Sequence, residues 1–311
     1  MNNNAINLNH YQFVRVSGGD AISFLQGQIS ANTELLSPQE SLHAALCNLK
    51  GRVIADFRVL KHGDDCLLQT VAGMATPVIE TLSKYAVFSD VEITLDQQGV
   101  SAIGFIAENC PPFLTTIFGT CPLLENQLEQ TSDMSLIKIA AGSGRFELWF
   151  HSADARTRFF NAGKFALDDN LDAWNRETLS AGIVHITPEL SEKYTPQLLN
   201  YDISGVIDFN KGCYTGQEVV ARMFYRGQAK KRLFLASSSH AVSGHSEIVI
   251  ADEARSNVGE ILKFSNAQGS GEGPNLLLAV VNTAAVEEKA ALSLSDQGES
   301  VVEIEQLPYI D

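Results

Sequence analysis

An α+β fold with a small all-β domain at its C-terminal end is predicted by three features of this sequence. Short apolar segments, alternating or continuous and bounded by Gly, Asp or Pro, recur through the first 110 residues and read as strands. Segments with apolar residues at helical spacing interrupt them. After Lys231 the helical spacing stops, and short apolar runs alternate with turn-rich stretches such as SSSHAVSG and NAQGSGEGPN.

Taken in order, Tyr11 to Val16 reads as a strand, and Asp20 to Ile29 as a helix behind an aspartate suited to N-capping. Leu42 to Asn48, Val53 to Leu60 and Cys66 to Val71 read as neighbouring antiparallel strands. Pro77 to Lys84 has apolar residues at 78, 79 and 82, and Val87 to Leu95 and Val100 to Ala107 return to strand character. Pro111-Pro112 interrupts the chain, which predicts a subdomain boundary near 110 and then a weakly patterned stretch. Ser135 to Ala140 and Arg145 to Phe150 read as strands around Gly142 and Gly144. Ala153 to Phe165 and Leu171 to Ala181 read as helices, separated by an acidic loop at Asp168-Asp169. Residues 1–230 therefore make an α+β region, and 231–311 a small antiparallel β-barrel from the runs LFLA, EIVI, EILKF, LLLAVV, ALSLS and VVEIE.

Composition excludes several classes. The 311 residues suit about two domains, and a 45% hydrophobic content supplies core material. With 19% charged and 8% aromatic residues the chain is neither disordered nor a coiled coil. A net charge of −15 repels phosphate backbones, so any nucleic-acid contact needs a local basic patch. The start, MNNNAINLNH, has neither a basic nor an apolar export region, and the longest apolar run, Leu276 to Val281, is far short of a membrane span. A soluble, cytoplasmic protein with no membrane partner is expected. The five cysteines (47, 66, 110, 121, 213) form an odd set without C-x-x-C spacing, which predicts no disulfide framework and no zinc knuckle. The seven histidines show no H-E-x-x-H spacing, and no metal site is expected. The glycines at 269, 271 and 273 precede Pro274 without G-K-[ST], and Gly142-Ser143-Gly144 lacks a third glycine, so neither reads as a phosphate loop.

The segment KGCYTGQEVVARMFYRG, residues 211–227, is the most informative. Cys213 lies between Gly212 and Gly216 on a turn, with Lys211, Arg222 and Arg226 close in sequence. Such cations and turn amides favour thiolate over thiol and make a reactive cysteine. The alternative is a small buried cysteine, since free cysteines are among the most buried residue types. The bases Arg222, Arg226, Lys230, Lys231 and Arg232, interleaved with Phe224 and Tyr225, suit an RNA contact or another anionic ligand. They equally suit a solvated linker into the barrel.

The stretch Lys211-Gly212-Cys213-Tyr214-Thr215-Gly216-Gln217-Glu218 resembles the signature of the YgfZ proteins. These are the folate-binding branch of the superfamily that includes the glycine-cleavage aminomethyltransferase, or T-protein. Further blocks agree in order from about residue 8 to 235: Ser17-Gly18-Gly19-Asp20 with Phe24 to Gln28, Cys47 to Arg52, Lys84 to Ser89, and Thr195-Pro196-Gln197 with Asn200. The ending Leu307-Pro308-Tyr309 agrees too. The resemblance implies two interleaved α+β subdomains around a central channel with the barrel beside them. It also implies a bacterial cytoplasmic protein that binds tetrahydrofolate or a folate derivative and is needed for iron–sulfur enzymes and for modification of certain tRNAs, including methylthiolation. The partners implied are folate, iron–sulfur proteins and tRNA-modifying enzymes, with direct tRNA binding not expected. The family's two folate-holding aromatic positions fall on Tyr11, where Trp is usual, and Trp174. A flat pterin or aminobenzoyl ring gains dispersion from such a face, although a tryptophan on a helix also serves a core.

Whether the chain is an enzyme turns on two departures. By resemblance to T-protein, the catalytic aspartate position falls on Ala55, with Asp56 displaced by one. Adjacent strand residues face opposite ways, so Asp56 substitutes only through a bulge or register change. The position of the pterin-binding glutamate falls on Ser180, ahead of Ala181-Gly182, and a hydroxyl cannot make the same paired bonds. An accessory folate-binding role with Cys213 as the functional thiol is therefore the leading expectation. A folate-dependent one-carbon transferase and a direct RNA-binding factor are the alternatives.

Overall fold

The computed structural model describes residues 4–139, 144–163, 166–227, 229–267 and 273–310; Ala140, Gly142, Ser143, Phe165, Gly269 and Gly271 lie outside the described residues. The chain forms two compact units, one from Met1–Leu171, His185–Tyr194 and Gly205–Val219, the other from Asp172–Val184, Thr195–Ser204 and Val220–Asp311.

The first unit runs β1 (Asn4–Asn7), β2 (Tyr11–Ser17), α1 (Ala21–Gln26), β3 (Leu42–Cys47), β4 (Val53–His62), β5 (Asp65–Val71), α2 (Ala75–Ser83), β6 (Glu92–Leu95), β7 (Ser101–Ile106), α3 (Pro112–Phe118), β8 (Leu128–Gln130), β9 (Met134–Lys138), β10 (Arg145–Phe150), α4 (Ala153–Ala162) and β11 (Ala166–Asp168). One sheet has the order β3-β4-β5-β2-β6 and the other β11-β1-β7-β10-β9-β8. All pairs are antiparallel except β1 with β11.

Strand alternation gives the five-stranded sheet two unlike faces. Val14, Val16, Phe57, Val59 and Leu68 are buried on one. The other carries Phe13, Gln69, Arg58 and His43, which lie opposite one another across β2, β5, β4 and β3. This polar face meets β10 of the second sheet. Phe13 packs edge-on against Trp149 at 5.0 Å between ring centroids, and Glu147 accepts from Gln69 Nε2 at 2.8 Å and Trp149 Nε1 at 2.7 Å. A buried carboxylate is tolerated only with such donors. The opposite face of β10 (Phe146, Leu148, Phe150) packs with Phe105, Leu136 and Phe159 into an apolar core.

The second unit contains α5 (Asp172–Ser180), most of α6 (Gln217–Arg226), β12 (Lys231–Ser238), β13 (Glu247–Ile250), β14 (Asn257–Ser265), β15 (Asn275–Asn282), α7 (Thr283–Glu287), β16 (Leu292–Leu294) and β17 (Gln297–Glu305). The six strands close into an antiparallel barrel in the order β12-β15-β14-β13-β16-β17. Ala236, Ile248, Leu277, Ala279, Val281 and Leu294 belong to its core. Closure leaves no sheet edge to pair elsewhere.

Several expectations change. The first helix ends at Gln26, and Asp20 makes no side-chain cap; its Oδ2 accepts from the Asp90 amide instead. Val87 to Leu95 starts as a 3-10 turn, with strand only from Glu92. The stretch after Pro111 is a helix, started by Pro112 in a first turn where no amide partner is lost. Asp168 ends a strand rather than sitting in a loop, because β11 pairs with β1. Cys110 and Cys121 form a disulfide with Cα atoms 6.4 Å apart. Gly119, left-handed at φ 79°, reverses the chain after α3 and brings the flanking cysteines together, which a spacing count cannot register.

His151, the residue after β10, lies 2.8 Å from Ser135 Oγ through Nε2, and its ring is 4.0 Å from that of His62. Burial holds its pKa down to about 4, with the His62 charge adding to this. The unfolded chain therefore takes up a proton from about pH 6.5 while the folded imidazole stays neutral, so stability falls as pH drops from 6.5 to 4. Replacing the ring by His151→Gln should reduce the stability lost between pH 7 and 5 by up to about 2 kcal/mol in urea titrations.

Candidate functional site

The 211–218 turn is pinned at Lys211, Thr215, Gly216 and Gln217. Lys211 is buried, and its Nζ donates to the Ile29 and Ala31 carbonyls at 2.7 Å each while lying 5.3 Å from the Tyr214 ring centroid. Burial lowers its pKa to about 8, against the opposing pull of Asp208 and Glu34. Tyr214 is buried, and its Oη has no hydrogen-bond partner among the described residues. Burial, with Cys47 nearby, pushes that phenol up. Thr215 bonds Gln28 through its side chain and the Gly27 carbonyl through its amide. Gly216 has φ +83°, and a Cβ there would stand 2.4 Å from the Asn48 carbonyl oxygen. Only glycine permits both that conformation and that approach. The Gln217 side chain accepts from the Tyr214 amide as α6 begins, and Glu218 sits in the helix's first turn, where negative charge is favoured. Cys213 itself is exposed, beside Gly212, where an added Cβ would meet nothing within 4 Å. The buried-cysteine alternative is thereby overturned.

A second cluster lies on the polar face of the five-stranded sheet. Asp56 Oδ2 accepts from His185 Nδ1 at 2.7 Å and from His43 Nε2 at 2.9 Å, and its Oδ1 from the Ile186 amide at 2.6 Å. Burial pushes this carboxyl up, but His185 and His43 beside it outweigh that and hold it well below the usual carboxylate range. Burial lowers the His43 pKa despite its bond to Asp56. Tyr11 is half-buried at the start of β2, its ring edge-on to His185 at 6.1 Å. The register explains how Asp56 comes to this face. Leu46 pairs with Ala55 but Cys47 pairs with Val53, so Ile54 is an extra residue in β4. A bulge of this kind exchanges the two faces for everything after it. The sequence contains Asp56 and both histidines, but separations of 13 and 129 residues give no local signal of their meeting.

In the second unit, Trp174 on α5 is 1% exposed, with its carbonyl accepting from Thr178 Oγ1. Ser180 ends that helix, and Gly182 is left-handed at φ +68° where a Cβ would lie 2.5 Å from Leu307. Tyr309 Oη donates to the Gly182 carbonyl, so the Leu307-Pro308-Tyr309 ending packs on the Ala181-Gly182 turn. Asn200 donates to the Leu233 carbonyl in β12. Arg232 pairs with Asp202 through both guanidinium nitrogens at 2.8 and 3.0 Å, so it is not part of a solvated linker. Arg222 and Arg226 are exposed on α6, alongside the exposed ring of Tyr225 and the partly exposed ring of Phe224. No described helix is long and apolar enough to cross a membrane.

No family model matches the chain. The tRNA-modifying protein YgfZ of Yersinia enterocolitica is 29% identical over 308 residues, spanning 98% of this chain and 92% of that protein. The protein of the same name from Blochmanniella pennsylvanica is 32% identical over 232 residues, 74% of this chain and 70% of that one. The protein from Escherichia coli O157:H7 is 31% identical over 75% of this chain and 71% of its own length. Among solved structures, the glycine cleavage system aminomethyltransferase T from Bartonella henselae superposes with a TM-score of 0.78 over 99% of this chain and 86% of that one, at 17% identity. That likeness establishes the fold.

Two outcomes test the pinned turn. In the absence of reductant a thiol-titrating disulfide reagent should react with one cysteine in the native protein, Cys213, and with three in denaturant, since Cys47 and Cys66 are buried with pKa values near 12. Gly216→Ala should destabilise the protein by about 2 kcal/mol or more, and Gly212→Ala by less than about 0.5 kcal/mol, in matched denaturation curves.

Proposed function

Because this chain belongs to the family of the tRNA-modifying protein YgfZ, we propose that it binds a tetrahydrofolate and supports iron–sulfur enzymes, including those that methylthiolate certain tRNAs, with Cys213 as its working thiol. One observation carries the reading: Cys213 is the exposed cysteine, on a turn whose neighbours are fixed by Lys211, Thr215 and Gly216. A thiol held outward on a rigid turn meets a partner protein with little ordering cost. The folate half of the proposal draws on the fold shared with an aminomethyltransferase and on Tyr11 and Trp174 as ring-stacking residues. Folate and iron–sulfur proteins are the partners proposed, and the net charge of −15 argues against general tRNA binding.

A second reading, one-carbon transfer on a folate, is favoured by the bulge at Ile54, which carries Asp56 to the face that an unbroken strand count assigns to Ala55. Turnover of a folate-linked one-carbon substrate that is lost in Asp56→Asn would mark it.

The test is anaerobic calorimetric titration of tetrahydrofolate into wild type, Trp174→Ala and Tyr11→Ala, each checked by circular dichroism for folding. Saturable binding that weakens about tenfold or more in either folded variant supports the proposal. Folded wild type that takes up no folate overturns it. In cells lacking the native protein, Cys213→Ser should fail to restore methylthiolated tRNA while Cys66→Ser restores it.

A further inference from the structure

The cluster of His43, Asp56 and His185 has a chemistry that folate binding and the Cys213 turn do not use. Three side chains from β3, β4 and the segment after α5 converge, with their donor atoms all within 4.8 Å of one another. We propose that His43 Nε2, Asp56 Oδ2 and His185 Nδ1 form a three-ligand site for a divalent first-row transition metal ion, with a further coordination position open to water or a substrate oxygen.

Four features carry this. The donor set, two imidazole nitrogens and one carboxylate oxygen, is that of catalytic zinc and of open ferrous sites. The spacing fits: both nitrogens already lie 2.7 and 2.9 Å from the same carboxylate oxygen, and tetrahedral ligands at ~2.0 Å from a metal stand about 3.3 Å apart. Small ring movements then admit the ion, with each neutral imidazole carrying its proton on the nitrogen turned away. The carboxylate is oriented from behind, since the Ile186 amide holds Oδ1 and leaves Oδ2 for the ion, the arrangement typical of metal-ligating carboxylates. Finally, the carboxylate is sealed from water while both imidazoles keep part of their surface exposed: the Asp56 side chain is 1% exposed, that of His43 15% and that of His185 25%. The Arg58 guanidinium on the same face donates to Asn126 Oδ1 at 2.6 Å and Ser41 Oγ at 3.1 Å.

The test uses the full chain carrying Cys213→Ser, so that the exposed thiol takes no metal, stripped with chelator and titrated with Zn2+ against a chromophoric competitor. One equivalent should bind, about 100-fold more tightly than to His185→Ala and to Asp56→Asn, while the exposed control His240→Ala binds as the parent does. Co2+ in the same protein should give visible absorption of low-symmetry nitrogen and oxygen coordination, absent in His185→Ala. His185 is the most accessible ligand, so its variant keeps the test meaningful if Asp56→Asn fails to fold. Equal zinc affinity in parent and folded His185→Ala overturns the site and leaves a hydrogen-bonded His-Asp-His network.

Discussion

The buried carboxylate of Asp56 is the constraint on which the first unit depends. Moving a carboxylate out of water costs several kcal/mol unless partners replace the lost hydration. Here the replacements come from residues 43, 185 and 186, so satisfying one side chain fastens β4 to β3 and to a segment that arrives only after α5. The backbone completes the stitch. Val53 donates to the Tyr194 carbonyl, Glu192 donates to the Val53 carbonyl, and Ser191 Oγ reaches the Ile54 carbonyl. That is why His185–Tyr194 belongs to a unit whose main body ends at Leu171.

The same logic explains why the sequence's most distinctive blocks are far apart along the chain. Gly18 must be glycine because a Cβ would stand 2.2 Å from the Asp90 carbonyl oxygen, and the Asp20 amide bonds that same oxygen. Gly27 and Gln28 receive Thr215, Ile29 and Ala31 receive Lys211, and Asn48 lies under Gly216. The Phe24 to Gln28 and Cys47 to Arg52 blocks thus meet the 211–218 turn directly. Burying the Lys211 ammonium is tolerable because two carbonyls and an aromatic face meet it, and the return is a turn that holds one side chain outward.

Most strands were legible because a sheet with one apolar face writes period-two patterns into sequence, and the barrel because its runs are short, apolar and turn-bounded. The elements that escaped are those whose existence is tertiary. β1, β8 and β11 are only three or four residues long and take their identity from the strands they pair with. The helix α3 was hidden by the prolines that start it. Within the candidate site, the glycines and Lys211 were legible as a motif, but whether Cys213 faced solvent or core depends on where Lys211 and Tyr214 anchor, which no local pattern encodes. The His43-Asp56-His185 cluster was invisible because its members share no element.

The bulge at Ile54 decides which face of the sheet Asp56 occupies. Counted along an unbroken strand, Ala55 shares a face with Val53 and Asp56 takes the opposite one. With one extra residue at 54, every side chain from 55 onward changes sides relative to Val53 and the turn before it. Asp56 then occupies the polar face with Arg58, His43 and Gln69, while Ala55 joins Phe57 and Val59 in the apolar layer. An alanine at 55 is what that layer demands, because a carboxylate there would be buried among aliphatic side chains without donors. The alanine and the bulge are therefore two parts of one arrangement: an acid brought to the sheet's polar face and surrounded by imidazoles that give it a partner set of its own.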